Sequence, residues 1–215
     1  MGIRETLSAL LFDFDGTIAD TSQTWDRVTL ACFCAQGFEL DEEMLSLVLA
    51  NPWPDVVPWL SKADAIAIEQ DILDSIFDAY LDCAPAAGLD VLLRGFADVP
   101  KGIVTSSYRE RLVVPYLRRH GLEQYFAVVV GSEDTERLKP DPEPVLLALK
   151  MLDADHSGAW MIGDSPADIQ AARAAGIRSV GLGNRAVGGD HFADSVPALA
   201  SLLTAIAAED KYLSQ

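Results

Sequence analysis

The chain has 215 residues, half of them hydrophobic and 23% charged, with 33 acidic against 16 basic residues and a formal charge of −17. The apolar fraction is enough to bury a sizeable core, which excludes wholesale disorder. The negative field repels phosphate backbones and anionic lipid, so neither nucleic acid nor a membrane surface is an expected partner. No apolar run reaches the ~20 residues of a membrane helix, and the N-terminus shows no basic segment followed by an apolar one. The three cysteines, Cys32, Cys34 and Cys83, have no metal-type spacing and read as reduced thiols. The expected location is therefore cytoplasmic, and the expected state a monomer or homodimer.

Residues 8–14 (SALLFDF) form an apolar run that stops at acids and Gly16-Thr17, the pattern of a buried parallel strand ending in a turn. Similar runs recur at 102–105, 126–131, 159–163 and 178–182. Helical stretches lie between them at 108–120, 142–152 and 166–175, and a closing helix is expected over 196–208. Strands alternating with helices predict a doubly wound, Rossmann-like α/β fold with a parallel sheet.

The stretch from 20 to about 95 breaks this rhythm. Trp25, Val28, Leu30, Cys32 and Phe33, and later Ile66, Ile68, Ile72, Ile76 and Tyr80, recur at helical spacing, and Cys83 to Gly88 reads as a linker back to the core. The division expected is a core of 1–19 and 89–215 with a helical insertion at 20–88. Residues 20–95 carry 14 acidic and three basic residues, most of the chain's imbalance.

Polar groups gather where strands end, which is where open α/β sheets bind ligands. Asp13 and Asp15 follow the first strand, and Thr105, Ser106 and Ser107 the second. Lys139 lies in the loop after the third, Asp164 follows the fourth, and Asp168 comes four residues later. Carboxylates crowded together repel unless a cation neutralises them, and hard oxygen donors without His or Cys suit Mg²⁺. A carboxylate nucleophile, a second carboxylate for proton transfer, a divalent cation and a lysine make a phosphoryl-transfer site. Taken alone, several pieces have plainer readings. Ser165-Pro166-Ala167-Asp168 is a good helix start, Ser107 with Glu110 fits a capping box whose main role is capping, and an isolated Lys139 would be a solvated surface residue. A signalling receiver domain also uses acids, Thr and Lys on such a sheet, but is shorter and has no such insertion.

Asp13-Phe14-Asp15-Gly16-Thr17 resembles the first motif of the haloacid dehalogenase superfamily, DxDGT. Thr105 is similar to its second motif, Lys139-Pro140-Asp141-Pro142 to its third and Gly163-Asp164-Ser165-Pro166-Ala167-Asp168 to its fourth. The four motifs span about 8–182 in family order, and the insertion resembles the family's helical cap. The subgroup most resembled is that of phosphoglycolate phosphatases and β-phosphoglucomutases. The resemblance implies that Asp13 attacks phosphorus to form an aspartyl-phosphate, and that Asp15 protonates the leaving oxygen and then activates water. It places Mg²⁺ between Asp13, the Asp15 carbonyl and Asp164, with Asp168 supporting the site. Thr105 and Lys139 then hold phosphoryl oxygens with help from backbone near Gly16 and Ser106.

The second aspartate of the first motif, absent from dehalogenases, points away from dehalogenation. Thr17 where β-phosphoglucomutases usually carry Val, and Trp25 where they carry a cap histidine, favour a phosphatase over the alternative, a phosphomutase of the β-phosphoglucomutase type. The expected partner is a small-molecule phosphomonoester. Trp25, Asn51 and Trp53 are the candidate substrate-selecting residues, although Trp53 and Trp59 read more readily as core aromatics. The acidic insertion suggests a substrate with a neutral or cationic remainder rather than phosphoglycolate.

Overall fold

The five apolar runs become strands of one parallel sheet in the computed structural model of the chain, which describes residues 7–21, 23–41, 44, 48, 60–183 and 188–212. The strands are β1 (Ala9–Phe12), β2 (Lys101–Val104), β3 (Val128–Val130), β4 (Ala159–Gly163), β5 (Arg178–Leu182) and β6 (His191–Ala193), in the order β3-β2-β1-β4-β5-β6. The central register sets Leu11 opposite Gly102 on one side and Met161 on the other. These strands carry no polar alternation because both faces are covered. Successive side chains point to opposite faces, and one face packs Leu11, Val104, Val130 and Met161 against Val145, Ala148 and Leu149 of one helix and Ala171 and Ala172 of another. At ~25 cal/mol per Å² of apolar surface, a wholly buried side chain of this size is worth ~1.5–3 kcal/mol before chain entropy is set against it.

The helices are α1 (Thr24–Ala35), α2 (Lys62–Leu81), α3 (Leu89–Gly95), α4 (Val114–Arg119), α5 (Glu143–Leu152), α6 (Pro166–Ala175) and α7 (Val196–Tyr212), with a π-helical turn, Arg109–Val113, leading into α4. None of the described helices is long and apolar enough to cross a membrane. The expected helices and strands are present, and the edge strand β6 is additional. It has three residues, two of them exposed, too few and too polar to register as an apolar run.

The chain groups into two compact units, 1–20 with 84–215, and 21–83. The first holds the sheet. Residues 84–86 are tied into it: Asp20 N–H donates to the Ala84 carbonyl and Ala86 N–H to the Ile18 carbonyl. The second is helical. Val28, Cys32 and Phe33 of α1 pack with Ile68, Ile72 and Ile76 of α2 and with Val48. Ser61 caps α2 by accepting from the Asp64 N–H. The helical spacing is thus read correctly; Trp25, Leu30 and Ile66 lie on the same helices but on their exposed sides. Asn51, Trp53 and Trp59 lie outside the described residues.

Candidate active site

The strand order places the carboxyl ends of β2, β1 and β4 side by side, so Thr105, Asp13 and Asp164 emerge at one edge of the sheet. After β1 the chain turns at once: the Ile18 and Ala19 N–H groups both donate to the Phe14 carbonyl. Gly16 makes that turn with φ +74°, and a Cβ there would come 2.5 Å from Asp164 Oδ2. Any side chain would be strained in that backbone conformation and would also strike the Asp164 carboxylate. The glycine therefore lets Asp164 lie against the backbone beside Asp15.

Lys139 is the centre of the site. Its side chain is 4% exposed, and its Nζ donates to Asp13 Oδ1 at 2.6 Å, Asp168 Oδ1 at 2.6 Å and the Val104 carbonyl at 2.8 Å. The plain surface reading of this lysine does not hold. It reaches inward from a loop whose Lys139–Pro140 peptide is cis, and Asp141 Oδ1 caps the start of α5 by accepting from the Glu143 N–H. Burial alone would lower the ammonium pKa, but Asp13 and Asp168 hold it above the ordinary lysine value.

Asp168 has both of the roles that the sequence sets against one another. Its Oδ2 accepts from the Ser165 backbone N–H and hydroxyl, capping α6, while Oδ1 holds Lys139. The cap fixes the fully buried carboxylate and so orients the lysine.

Asp13, Asp164 and Asp168 each offer a carboxylate oxygen within 4.8 Å of the others. Burial, with Asp168 and Asp15 nearby, outweighs Lys139 and pushes the Asp13 carboxyl up to about 7. Such a shift marks a buried carboxyl whose one ammonium partner is not enough to offset burial and its acidic neighbours. An all-oxygen donor set of this kind suits Mg²⁺. Both Asp168 oxygens already accept hydrogen bonds, which leaves Asp13 and Asp164 as the better side-chain donors.

Thr105 is buried, and its Oγ1 accepts from the Ser107 N–H at 3.0 Å, while Ser106 is exposed at the same turn. Ser107 departs from the capping-box expectation. Its hydroxyl donates to Asp15 Oδ2 at 2.7 Å. The N–H groups of Arg109 and Glu110 are capped instead by Glu133, 24 and 23 residues away. Burial would raise the Glu133 carboxyl, but these N–H donors and Arg109 hold it below the usual range. Local spacing could not reveal either contact, because both cross between strands. Trp25 lies in the helical unit, 37% exposed.

The haloacid dehalogenase-like hydrolase family matches residues 10–182. The chain belongs to this family. Among its relatives, a plasmid-encoded phosphoglycolate phosphatase of Cupriavidus necator is 42% identical, with 92% of this chain and 93% of that protein covered. The pyrophosphatase PpaX of Bacillus pumilus is 32% identical over 82% of this chain and 83% of its own. A subfamily IA hydrolase of Geobacter sulfurreducens shares the fold, with a TM-score of 0.78 at 21% identity and coverage of 92% and 96%. As a family hydrolase with phosphatase relatives, the protein is a phosphatase of the phosphoric monoester class.

Proposed function

We propose that the chain is a Mg²⁺-dependent phosphatase that hydrolyses a small phosphomonoester through an aspartyl-phosphate on Asp13. The observation that carries this reading is the pinning of the Asp13 carboxylate at a strand end by Lys139, with Asp15 two residues on and Asp164 opposite. Lys139 fixes Asp13 through Oδ1 and favours its ionised form, the form that attacks phosphorus, against the burial that raises it. Asp15 gives its proton to the leaving oxygen as the phosphorus–oxygen bond breaks. It then takes a proton from the water that opens the aspartyl-phosphate. Thr105, Lys139 and backbone near Gly16 and Ser106 hold the phosphoryl oxygens. Mg²⁺, held by Asp13, Asp164 and the Asp15 carbonyl, would supply the charge that lets two anions approach.

The substrate class follows a different line from the charge of the insertion. Every described acidic side chain in 20–95 is exposed or half-exposed, so solvent and salt screen it, and the acidity carries little weight for a neutral or cationic remainder. The relatives are named for phosphoglycolate and pyrophosphate, whose leaving groups are anionic, and phosphoglycolate is the substrate we place first.

The test is phosphate release from phosphoglycolate, pyrophosphate, glucose 1-phosphate and p-nitrophenyl phosphate, with Mg²⁺ and with the metal chelated. Release that needs Mg²⁺ and falls at least roughly 10³-fold in Asp13→Asn is expected. An Asp13→Asn protein with full activity would refute the nucleophile. Isomerisation of a sugar phosphate without release would favour the mutase instead.

A further inference from the structure

The turn after β2 carries Thr105 and Ser107, yet nothing within it caps the helix that follows. The cap comes from the exit of β3. Glu133 Oε2 accepts from the Arg109 N–H at 2.9 Å and Oε1 from the Glu110 N–H at 3.0 Å. Ser132 N–H donates to the Ser107 carbonyl at 3.0 Å and Thr105 N–H to the Val130 carbonyl at 3.0 Å. Asp134 adds an ion pair to Arg109 at 3.3 Å, and its Oδ2 accepts from the Gly131 N–H. The two segments approach so closely that a Cβ on Gly131 would lie 2.7 Å from the Arg109 nitrogen. The exit of β3 is therefore latched onto the Thr105–Glu110 turn at both ends of Ser107.

The latch has a consequence for Ser107. A serine before a helix ordinarily gives its oxygen to the first free N–H groups. Here Glu133 occupies those donors, and the Ser107 hydroxyl turns to Asp15 Oδ2 instead. We propose that Glu133 is a positioning residue for hydrolysis: by capping Arg109 and Glu110 it keeps Ser107 on Asp15, the acid–base carboxylate. The proposal rests on the phosphatase reading above and extends it to a residue that touches no reacting atom.

A double-mutant cycle on the full chain, with p-nitrophenyl phosphate and Mg²⁺, tests it. Glu133→Ala is expected to lower kcat about fivefold to twentyfold with KM within about twofold, the scale of losing a cap and a misplaced hydrogen bond. Glu133→Gln keeps one acceptor and falls between. Ser107→Ala lowers kcat by a similar factor, and adding Glu133→Ala to it changes kcat by less than about twofold, because coupled residues are not additive. Faster hydrogen exchange at the Arg109 and Glu110 amides in Glu133→Ala reports loss of the cap independently of activity. A purely structural cap would lower Tm but leave kcat per active molecule intact in both the wild-type and the Ser107→Ala background. Unchanged kcat in Glu133→Ala, or additive losses, would overturn the positioning role alone. A wild-type protein that releases no phosphate from any of the four substrates would overturn the phosphatase reading and the positioning role with it.

Discussion

Replacing Lys139 by Met removes the one cation that the described structure places between Asp13 and Asp168. The two carboxylate side chains are 10% and 0% exposed, so water cannot take the lysine's place. Breaking a buried pair in this way costs about 3–5 kcal/mol. The remaining oxygens, within 4.8 Å of one another, repel by about 3.5 kcal/mol at an effective dielectric near 20. A proton can stand in for the lysine, and this gives the loss a pH signature. In the metal-free wild type, Asp13 is raised to about 7. Its contribution to stability is full below the ordinary value of 3.8 and is lost as pH rises through 7. Above that point the group titrates alike in folded and unfolded chains. In Lys139→Met the folded state holds the Asp13 proton to higher pH, and stability goes on falling by ~1.4 kcal/mol per pH unit. Urea denaturation with the metal chelated, from pH 6 to pH 9, is the assay. The gap between wild type and variant should widen steadily above pH 7. A gap that is constant with pH, or smaller than ~1 kcal/mol at pH 8, would show that the lysine does not neutralise this pair.

Three further outcomes follow from the same geometry. Mg²⁺ affinity measured by calorimetry should rise about tenfold per pH unit towards pH 7 and then level off, because the metal displaces the proton from Asp13; affinity flat between pH 5 and 7 would contradict the raised carboxyl. Gly163→Ala puts a Cβ onto the buried Asp168 carboxylate, so kcat should fall ~10²-fold through misplacement of Lys139, and an active Gly163→Ala enzyme would mean that Asp168 can shift freely. Trp160 is 1% exposed, beneath the Arg178 guanidinium at 5.1 Å, and Trp160→Ala should cost ~3–5 kcal/mol in urea unfolding; a loss under ~1 kcal/mol would show that the sheet face there can collapse around the gap.

The α/β class, five of the six strands and the order of the chemical groups follow from the sequence alone. Continuous apolar runs can only be strands covered on both faces, and acids that end such runs have no packing role. The sequence also determined the α6 start, since Ser165, Pro166 and Asp168 are local neighbours. What it could not determine were contacts between segments far apart in the chain. Lys139 reads as solvated until β1, β2 and α6 bring Asp13, the Val104 carbonyl and Asp168 to its ammonium. Asp168 reads as a cap until the same fold gives its second oxygen the lysine. Ser107 and Glu110 satisfy a local capping pattern, but Glu133, delivered by the parallel pairing of β3 with β2, takes those donors and turns the serine to Asp15. The chain's excess of acid divides in the same way: solvated charge over the helical unit, and a small buried cluster that only tertiary structure brings together around one lysine.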